Sequence, residues 1–375
     1  MDRLKQAKRI GILGGAFNPI HYGHLTAAEC VKAELDLDMI LFIPTGLPPH
    51  KKDILFSEHR YLMTVLAAVD NPDFYITRME LDRPGFSYTA DTLRILKGKT
   101  DAELFFIIGA DEMLQLSSWK DAEDLPNLCN WVGITRPGYT AKNSVNIPGL
   151  YISGTELRER IKSEKPVKYL IPPATDQYIR DLGLYQDQED CFIYIHKKVK
   201  ERLSEYRYSH TLGVIETSVI LAARFGVNLR KAHLAALLHD YAKEFSEMEK
   251  HSLCREFSIP LDPIQEANIN LMHGPLSAEF AKQEFNLEDK DIIAAITYHT
   301  TGRIGMSPLE KIIKIADNIE PGRTDFPGLK EIREMSLYSL EDATAASIKR
   351  DIQYTKEKGR TIHPWGEEAL NYLER

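Results

Sequence analysis

The sequence predicts an α/β domain with a doubly wound parallel sheet, followed by an all-α domain. Short apolar runs alternate with helical patterns in the N-terminal half, the order that gives parallel sheets. Helical periodicity dominates the C-terminal half, where strand patterns nearly vanish. A chain of 375 residues suits two domains. The residue pattern changes from mixed strand and helix to helix alone at a polar segment, residues 185–191, which we take as the linker. The predicted domains are therefore 1–187 and 188–375.

The predicted elements follow these apolar patterns in order. The expected strands span residues 9–13, 39–44, 74–81, 103–108, 130–135 and 150–152, and the first helix spans 25–35. The expected C-terminal helices span residues 208–225, 229–238, 246–257, 275–284, 289–298, 307–319, 340–357 and 365–373. In a doubly wound sheet, ligands bind at the carboxyl ends of the strands.

Composition limits the partners of the chain. A net charge of −8 and an isoelectric point near 5.9 argue against broad binding to nucleic acid or anionic membranes. Small phosphorylated ligands stay compatible, because they need only local N–H groups and a few cations. No signal-like or membrane-length apolar run is present, and the 4 cysteines are isolated. We therefore expect a cytoplasmic protein that acts on small molecules; the sequence leaves open whether it forms a homo-oligomer.

The densest local pattern is a glycine-rich turn with two histidines at residues 14–24. It follows the first predicted strand and opens the first helix. Glycines let the backbone approach phosphates, and a helix start offers free N–H groups to an anion. His21 and His24 are three apart, so both imidazoles can face one ligand and stabilise charge on a transferring phosphoryl group.

This turn resembles the H-x-G-H signature of the nucleotidyltransferase superfamily. Further segments extend the resemblance in order, at residues 48–51, 87–93, 109–111, 119–120, 136–138 and 152–158. Together they resemble the bacterial nicotinate-mononucleotide adenylyltransferases over about residues 8–185. The resemblance implies that ATP, with Mg²⁺, is joined to nicotinate mononucleotide, releasing pyrophosphate and deamido-NAD. Another adenylyltransferase of the same fold, such as one for phosphopantetheine, is the rival; Trp119 and the segment at 87–89 favour a pyridine ring.

The resemblance also implies residue roles. The expected catalytic residues, which contact or neutralise the ATP phosphates, are His21, His24 and Lys51. The expected ATP-binding residues are Gly14, Gly15, Phe17, His21, His24, Asp111, Ser153, Thr155 and Arg158. The expected nicotinate-mononucleotide contacts are Tyr88, Thr89, Trp119 and Arg136. Asp111 would hold the ribose, and Trp119 would stack on the pyridine ring.

Three residues depart from the usual pattern of that family. Ala16 stands where Thr is common, Asn18 where Asp is common, and Gly154 where Ser is common. Both histidines and Arg158 are present, so we expect activity, with some hydrogen bonds to the phosphates lost.

Six residues of metal-ligand type recur on the predicted helices of the C-terminal half. They are His210, His239, Asp240, His273, His299 and Asp317. Asp240 follows an apolar helix, where a carboxylate is unfavourable unless it is paired or bound to a metal. Imidazoles with carboxylates suit divalent iron, manganese, cobalt or zinc. Six ligands can serve two ions sharing Asp240, a centre that can activate water and clamp phosphate oxygens. The other histidines of this half are expected at the solvent surface: His196, His233, His251 and His363.

This ligand pattern resembles the HD-domain phosphohydrolases over about residues 192–375. The segments around the ligands are similar to those of the bacterial symmetrical diadenosine-tetraphosphate hydrolases. The resemblance implies central cleavage of the tetraphosphate to two ADP, with Asp240 and Lys243 as catalytic residues and one or two metal ions, iron first and manganese second. Lys243 and Arg323 are expected phosphate contacts, although both also fit ordinary surface cations.

Two other functions for the C-terminal half stay open. The metal centre could act on another nucleotide, such as a guanosine alarmone or a nucleoside monophosphate, because ligand sets report chemistry and not substrate. The half could instead be a regulatory module that senses nucleotides, although the complete ligand set argues against this.

Overall fold

The computed structural model describes residues 2–49, 54–135, 144–147, 152–186 and 190–375. The chain divides into two compact units, Met1–Asp187 and Gln188–Arg375. The first holds a parallel sheet flanked by helices and the second is helical, so the predicted fold class is confirmed.

The sheet of the first unit is parallel throughout. Its strands are β1 (Arg9–Gly15), β2 (Met39–Pro44), β3 (Phe74–Ile76), β4 (Glu103–Gly109), β5 (Asn130–Ile134) and β6 (Ser144–Val145). They are arranged in the order β3-β2-β1-β4-β5-β6. The predicted strand at 74–81 is too long: the chain leaves the sheet after Ile76, and Arg78 pairs with Glu58. The strand predicted at 150–152 falls largely outside the described residues, and its last residue, Ile152, lies outside any helix or strand.

Helices cover the sheet. They are α1 (Asp2–Gln6), α2 (Tyr22–Glu34), α3 (Ser57–Ala68), α4 (Thr89–Lys97), α5 (Ala110–Met113), α6 (Leu125–Leu128), α7 (Gly154–Lys162) and α8 (Pro173–Leu182). Every residue of β2 is buried, which explains why this strand is continuously apolar rather than alternating. Ile12, Leu41 and Phe106 of neighbouring strands form one core with Leu93 of α4.

The position of β1 in the sheet determines where a ligand can bind. β1 pairs with β2 on one side and with β4 on the other. The chain adds β2 and β3 on one side of β1 and then crosses over to add the later strands on the other side, so the strand order reverses between β1 and β4. A crevice opens outside the carboxyl ends of the strands at such a point. The glycine-rich turn follows β1 and Asp111 follows β4, so the fold brings two predicted site segments to this crevice.

The second unit consists of helices. They are α9 (Cys191–Arg202), α10 (Glu205–Phe225), α11 (Leu229–Leu238), α12 (Glu247–Glu256), α13 (Pro263–Ala267), α14 (Ile269–Phe285), α15 (Lys290–Tyr298), α16 (Pro308–Ile319), α17 (Leu329–Ser336), α18 (Leu340–Glu357) and α19 (Pro364–Leu373). The sequence did not predict α9, α13 or α17. Nor did it place the start of α14, which begins before Pro275 because the Asn268 side chain caps it.

Four central helices, α10, α11, α15 and α16, pack against one another in this unit. Leu237, Ile296 and Ile313 are completely buried between them. Because five of the six metal-type residues lie on or just after these helices, and His273 lies on α14, the packing that buries the apolar side chains also fixes the positions of these residues. None of the described helices combines the length and the apolarity needed to cross a membrane.

Candidate functional sites

The two histidines of the glycine-rich turn lie against each other at the start of α2. Their rings stack with centroids 3.7 Å apart. The His21 backbone N–H donates to His24 Nδ1 at 3.3 Å, so Nδ1 is an acceptor and the neutral ring carries its proton on Nε2. Phe17 packs edge-on against His24 and has a left-handed backbone, φ 46°. The predicted arrangement of two imidazoles on one helical turn is therefore present.

Helix α7 starts beside the same turn. Arg158 Nη1 donates to the Asn18 carbonyl at 2.8 Å, and Arg158 Nη2 donates to Thr155 Oγ1 at 3.1 Å. A Cβ on Gly154 would lie 3.3 Å from that same carbonyl, tighter than most contacts of real Cβ atoms. Glycine at this position therefore fits the close approach of α7 to the turn. The start of α7, where Ser153 holds the N-cap position, thus lies against Asn18, four residues before α2 begins.

Tyr185 belongs to this site, although the sequence placed it in the linker. Its hydroxyl donates to Asn18 Oδ1 at 2.9 Å. Burial raises the pKa of Tyr185, so the hydroxyl keeps its proton. The linker prediction is wrong at both ends, because Tyr185 packs into the first unit and Cys191 opens α9. The Asn18 amide, which replaces the usual carboxylate, thus has a neutral partner.

A cavity at the carboxyl ends of the strands contains several of the predicted residues. Gly14 and Gly15 line it together with Thr89 and Trp119. Trp119 is partly buried and packs edge-on against Trp131, with ring centroids 6.1 Å apart. Tyr88 caps α4 beside the cavity, where Lys120 lies over its ring. Polar lining residues to which the sequence assigned no role include Glu80, Thr92 and Glu112.

Glu80 is a buried carboxylate at this cavity. Thr92 Oγ1 donates to Glu80 Oε1 at 2.7 Å, and burial raises the pKa of the carboxyl. The remaining expected contacts are Lys51 and Arg136, which lie outside the described residues.

The six predicted metal-type residues of the second unit converge on one point. Asp240 is the common neighbour: its Oδ1 lies 3.0 Å from His273 Nε2 and 3.7 Å from His299 Nε2. Its Oδ2 lies 3.6 Å from His239 Nε2 and 3.9 Å from His210 Nε2. Asp317 Oδ1 lies 3.1 Å from His210 Nε2, closing the set.

Two groups within this set have the spacing of a metal site. The first is His210, His239 and Asp317, and the second is His239, Asp240 and His299. The ligand atoms of each group lie within 4.8 Å of one another. Because the groups share His239, the arrangement suits one or two neighbouring ions.

The backbone orients the imidazoles. The Nδ1 atoms of His239, His273 and His299 lie 2.6–2.7 Å from the carbonyls of Ala236, Asn270 and Ile296. A carbonyl only accepts, so each Nδ1 carries the proton and each Nε2 presents a lone pair. The Nε2 atoms of His273 and His299 face each other at 3.0 Å, and the buried His239 Nε2 has no hydrogen-bond partner in the described chain. Two lone pairs that face each other, and one that is unpaired, fit a bound cation.

The charge states of four of the six residues also fit a metal centre. Burial lowers the pKa of His239 to about 4 and of His273 to about 3, so both are neutral ligands near neutral pH. Burial opposes charge on Asp240, but His239 and Lys243 hold its pKa well below the usual range. Burial likewise opposes charge on Asp317, whose pKa the contacts with His210 and Arg323 hold far below normal.

Three cations surround the ligand carboxylates. Arg207 Nη1 lies 2.9 Å from Asp240 Oδ2, and Arg323 Nη2 lies 2.6 Å from Asp317 Oδ1. Lys243 Nζ lies 3.3 Å from His273 Nε2. Lys243 and Arg323 were predicted, whereas Arg207 was missed. It lies three residues before His210, a spacing that places both on one helical face and could have revealed it.

Glu320 is, after Arg207, a second residue beside the six metal-type side chains that the sequence did not reveal. Its buried carboxylate accepts from His210 Nδ1 at 3.2 Å and from the Gly322 N–H. A Cβ on Gly213 would lie 2.4 Å from Glu320 Oε2, so this glycine leaves the space that the carboxylate fills. Glu320 therefore orients His210 as the backbone carbonyls orient the other three histidines.

Three histidines expected at the surface are in fact buried, so that prediction is wrong for them. His196 and His233 face each other with Nε2 atoms 3.1 Å apart, and Tyr208 lies 3.2 Å from His196 Nδ1. His363 caps α19 and lies 2.7 Å from Asp262. The ring nitrogens of these histidines have hydrogen-bond partners on other side chains of the helical unit. The periodicity of apolar residues does not reveal such pairing.

Comparison with known proteins separates the two units. Residues 12–160 match the cytidylyltransferase-like family, and residues 207–322 match the HD domain family. Two bacterial proteins named "Probable nicotinate-nucleotide adenylyltransferase" are similar to the first unit. The protein from Moorella thermoacetica is 41% identical over 51% of this chain and 97% of its own length. The protein from Acidothermus cellulolyticus is 45% identical over 48% of this chain and 94% of its own length.

The chain belongs to the nicotinate-nucleotide adenylyltransferase family. The membership rests on its N-terminal half, and an HD domain follows in the C-terminal half. A solved structure described as a "predicted HD superfamily hydrolase involved in NAD metabolism", from Clostridium acetobutylicum, is 38% identical. That likeness covers 49% of this chain and 96% of that one, with a TM-score of 0.47.

Proposed function

We propose that the N-terminal unit transfers the adenylyl group of ATP to nicotinate mononucleotide, releasing pyrophosphate and forming deamido-NAD. The observation that carries the proposal is the meeting of two helix starts and two stacked histidines at the switch point of the sheet. The N–H groups of these helix starts, with Arg158, form a cationic and dipolar surface for a triphosphate.

The roles of the residues follow from this geometry. His24 can donate from Nε2 to a phosphate oxygen, because its Nδ1 already accepts from the backbone. Arg158 adds a positive charge held in place by the Asn18 carbonyl. Mg²⁺ accompanying ATP would offset further phosphate charge. Trp119 offers a flat surface in the cavity for the pyridine ring of the second substrate.

The test is a substrate comparison. The purified protein, with ATP and Mg²⁺, is given nicotinate mononucleotide, nicotinamide mononucleotide or phosphopantetheine, and products are separated by chromatography. We expect deamido-NAD to form fastest. Equal or faster turnover of another acceptor would show that the substrate assignment is wrong.

We propose that the C-terminal unit is a metal-dependent phosphohydrolase that cleaves diadenosine tetraphosphate to two ADP. The observation that carries the proposal is the convergence of four imidazole Nε2 atoms and two carboxylates on one buried point. Those residues would hold one or two divalent ions, iron first and manganese second. Such an ion supplies Lewis acidity, which lowers the pKa of a water molecule and neutralises phosphate charge.

The cations around this point have a place in the same proposal. Arg207, Lys243 and Arg323 balance the ligand carboxylates in the protein alone. With a metal ion bound, Arg207, Lys243 and Arg323 would no longer be needed for that balance and could contact an anionic phosphate chain. A substrate with several phosphates therefore fits this site better than a nucleoside does.

The second test determines which nucleotide is hydrolysed and which bond is cleaved. The protein is loaded with iron or manganese and given diadenosine tetraphosphate, a guanosine alarmone or a nucleoside monophosphate. We expect two ADP from the first. AMP plus ATP as products would contradict central cleavage. Faster turnover of another nucleotide would show that diadenosine tetraphosphate is not the preferred substrate. Binding without turnover would favour a nucleotide sensor.

A further inference from the structure

Arg60 is a buried cation beneath the glycine-rich turn. It lies on α3, is 1% exposed, and has no ion pair with a carboxylate in the described part of the chain. Burial lowers the pKa of the guanidinium to about 10, which leaves it charged near neutral pH. A buried charge without an ion pair is unfavourable unless hydrogen bonds compensate it. The groups that accept hydrogen bonds from Arg60 therefore indicate its role.

Three backbone carbonyls accept from Arg60. Nη1 donates to Ala16 at 2.7 Å, Nη2 to Gly46 at 3.0 Å, and Nε to Leu55 at 2.9 Å. Ala16 belongs to the turn after β1, and Gly46 follows the end of β2. One side chain thus joins the carboxyl ends of two neighbouring strands, where the cavity opens.

The direction of a carbonyl fixes the direction of the next N–H. In a trans peptide the C=O and the N–H of one unit point in opposite directions. Because the Ala16 carbonyl points into the core at Arg60, the Phe17 N–H points away from it, and it donates to no residue that the structure describes. The left-handed backbone of Phe17 completes a turn of the kind that gathers N–H groups around an anion.

We propose that Arg60 is a positioning residue for phosphate binding, which holds the Ala16 carbonyl inward so that the Phe17 N–H faces the triphosphate. The inference rests on the proposed transferase function only for the identity of the nucleotide. It also explains how alanine is tolerated at position 16: the turn is held through its main chain and not through a side chain there.

The test compares the buried Arg60 with a partly buried arginine of the same unit. Arg78 is the control, because it is partly buried against α3, pairs with Glu58, and donates to no carbonyl of the turn among the described contacts. Inorganic tripolyphosphate and ATP are titrated onto the full-length wild type, R60M, R60K and R78M by calorimetry. Thermal unfolding and the KM for nicotinate mononucleotide are measured in parallel.

We expect R60M to bind tripolyphosphate and ATP about tenfold more weakly, the scale of a lost charge-assisted hydrogen bond, with KM for the mononucleotide within about twofold of wild type. R60K, whose single ammonium cannot span three carbonyls, should lose part of the affinity. R78M should lower the unfolding temperature and leave phosphate affinity unchanged.

Several outcomes would overturn the inference. R60M could bind tripolyphosphate like wild type, or R78M could lose as much affinity as R60M. If R60M does not fold, unchanged affinity in R60K is decisive against it. A wild type that binds tripolyphosphate but does not adenylate nicotinate mononucleotide refutes the proposed transferase function and leaves the role of Arg60 standing; a wild type that binds neither phosphate compound refutes both.

Discussion

The two sites of this chain use different parts of the polypeptide. The transferase site is built mainly from backbone: a glycine-rich turn, two helix starts and the carboxyl ends of parallel strands. The candidate metal site of the HD domain is built from side chains that approach from separate helices and converge in a helical core. Binding at a site built from backbone depends on the conformation of the main chain, whereas binding at a site built from side chains depends on the identity of those residues. The two should therefore respond differently to substitution.

The largest effect is expected at Asp240. Its two oxygens lie within 4 Å of the Nε2 atoms of all four ligand histidines. D240A should abolish metal binding and lower hydrolysis by roughly 10³-fold or more, while adenylyl transfer by the same molecules is unchanged. Elemental analysis and product chromatography measure the two effects. D291A, which removes a surface aspartate paired with Lys231, is the control. A D240A protein with a full complement of metal would contradict the assignment.

A smaller loss is expected at His24. Removing one donor to a charge that develops in the transition state typically lowers kcat by roughly 10²–10³-fold. H24A should show this loss with little change in unfolding temperature, since His24 lies at a ligand-facing turn. H59Q is the control, because His59 is a buried histidine of the same unit that contacts Tyr178. If H24A turns over as fast as wild type, His24 does not contact the reacting phosphate.

The same contrast explains what the sequence could predict. The glycine-rich turn is one continuous segment, so its residues and their spacing were readable directly. The six metal-type residues are scattered along the chain, yet the sequence singled out all six side chains that the structure brings together. Arg207, Glu320 and Tyr185 were missed because arginine, glutamate and tyrosine are common on surfaces, and only tertiary contacts give them a role.

Wrong predictions have a related cause. His196 and His233 were placed at the surface because an imidazole is polar, yet they pair with each other in the helical core. The strand predicted to reach residue 81 ends at Ile76, because Arg78 is drawn towards Glu58. Pairing between distant residues decided each case, and such pairing is absent from local patterns.

Glu320 tests whether the side-chain site also needs orientation. Its carboxylate serves the His210 ring and the Gly322 N–H together. E320Q leaves one amide oxygen for two donors and removes a charge, so affinity for a divalent metal should fall by about tenfold. Metal titration followed by calorimetry measures this. E310Q is the control, because Glu310 is buried on α16 but pairs with Arg303 instead of a ligand. Equal metal affinities in the two variants would show that His210 needs no such partner.

The smallest effect is expected when the two sites are separated. Every described residue assigned to the transferase site precedes position 186, and every residue assigned to the candidate metal site follows position 206. Each compact unit also has buried residues of its own, such as Ile12 in the first and Leu237 in the second. Fragments 1–186 and 190–375 should therefore each fold, and each should keep its own activity within about twofold. Steady-state rates of the fragments against the full chain measure this, with thermal unfolding as the check on folding. The activity of fragment 190–375 is the more sensitive measurement, because a shift of one helix would displace one of the metal-type side chains. Aggregation of both fragments beside a well-behaved parent would instead mean that one unit stabilises the other, and that the two sites are not independent.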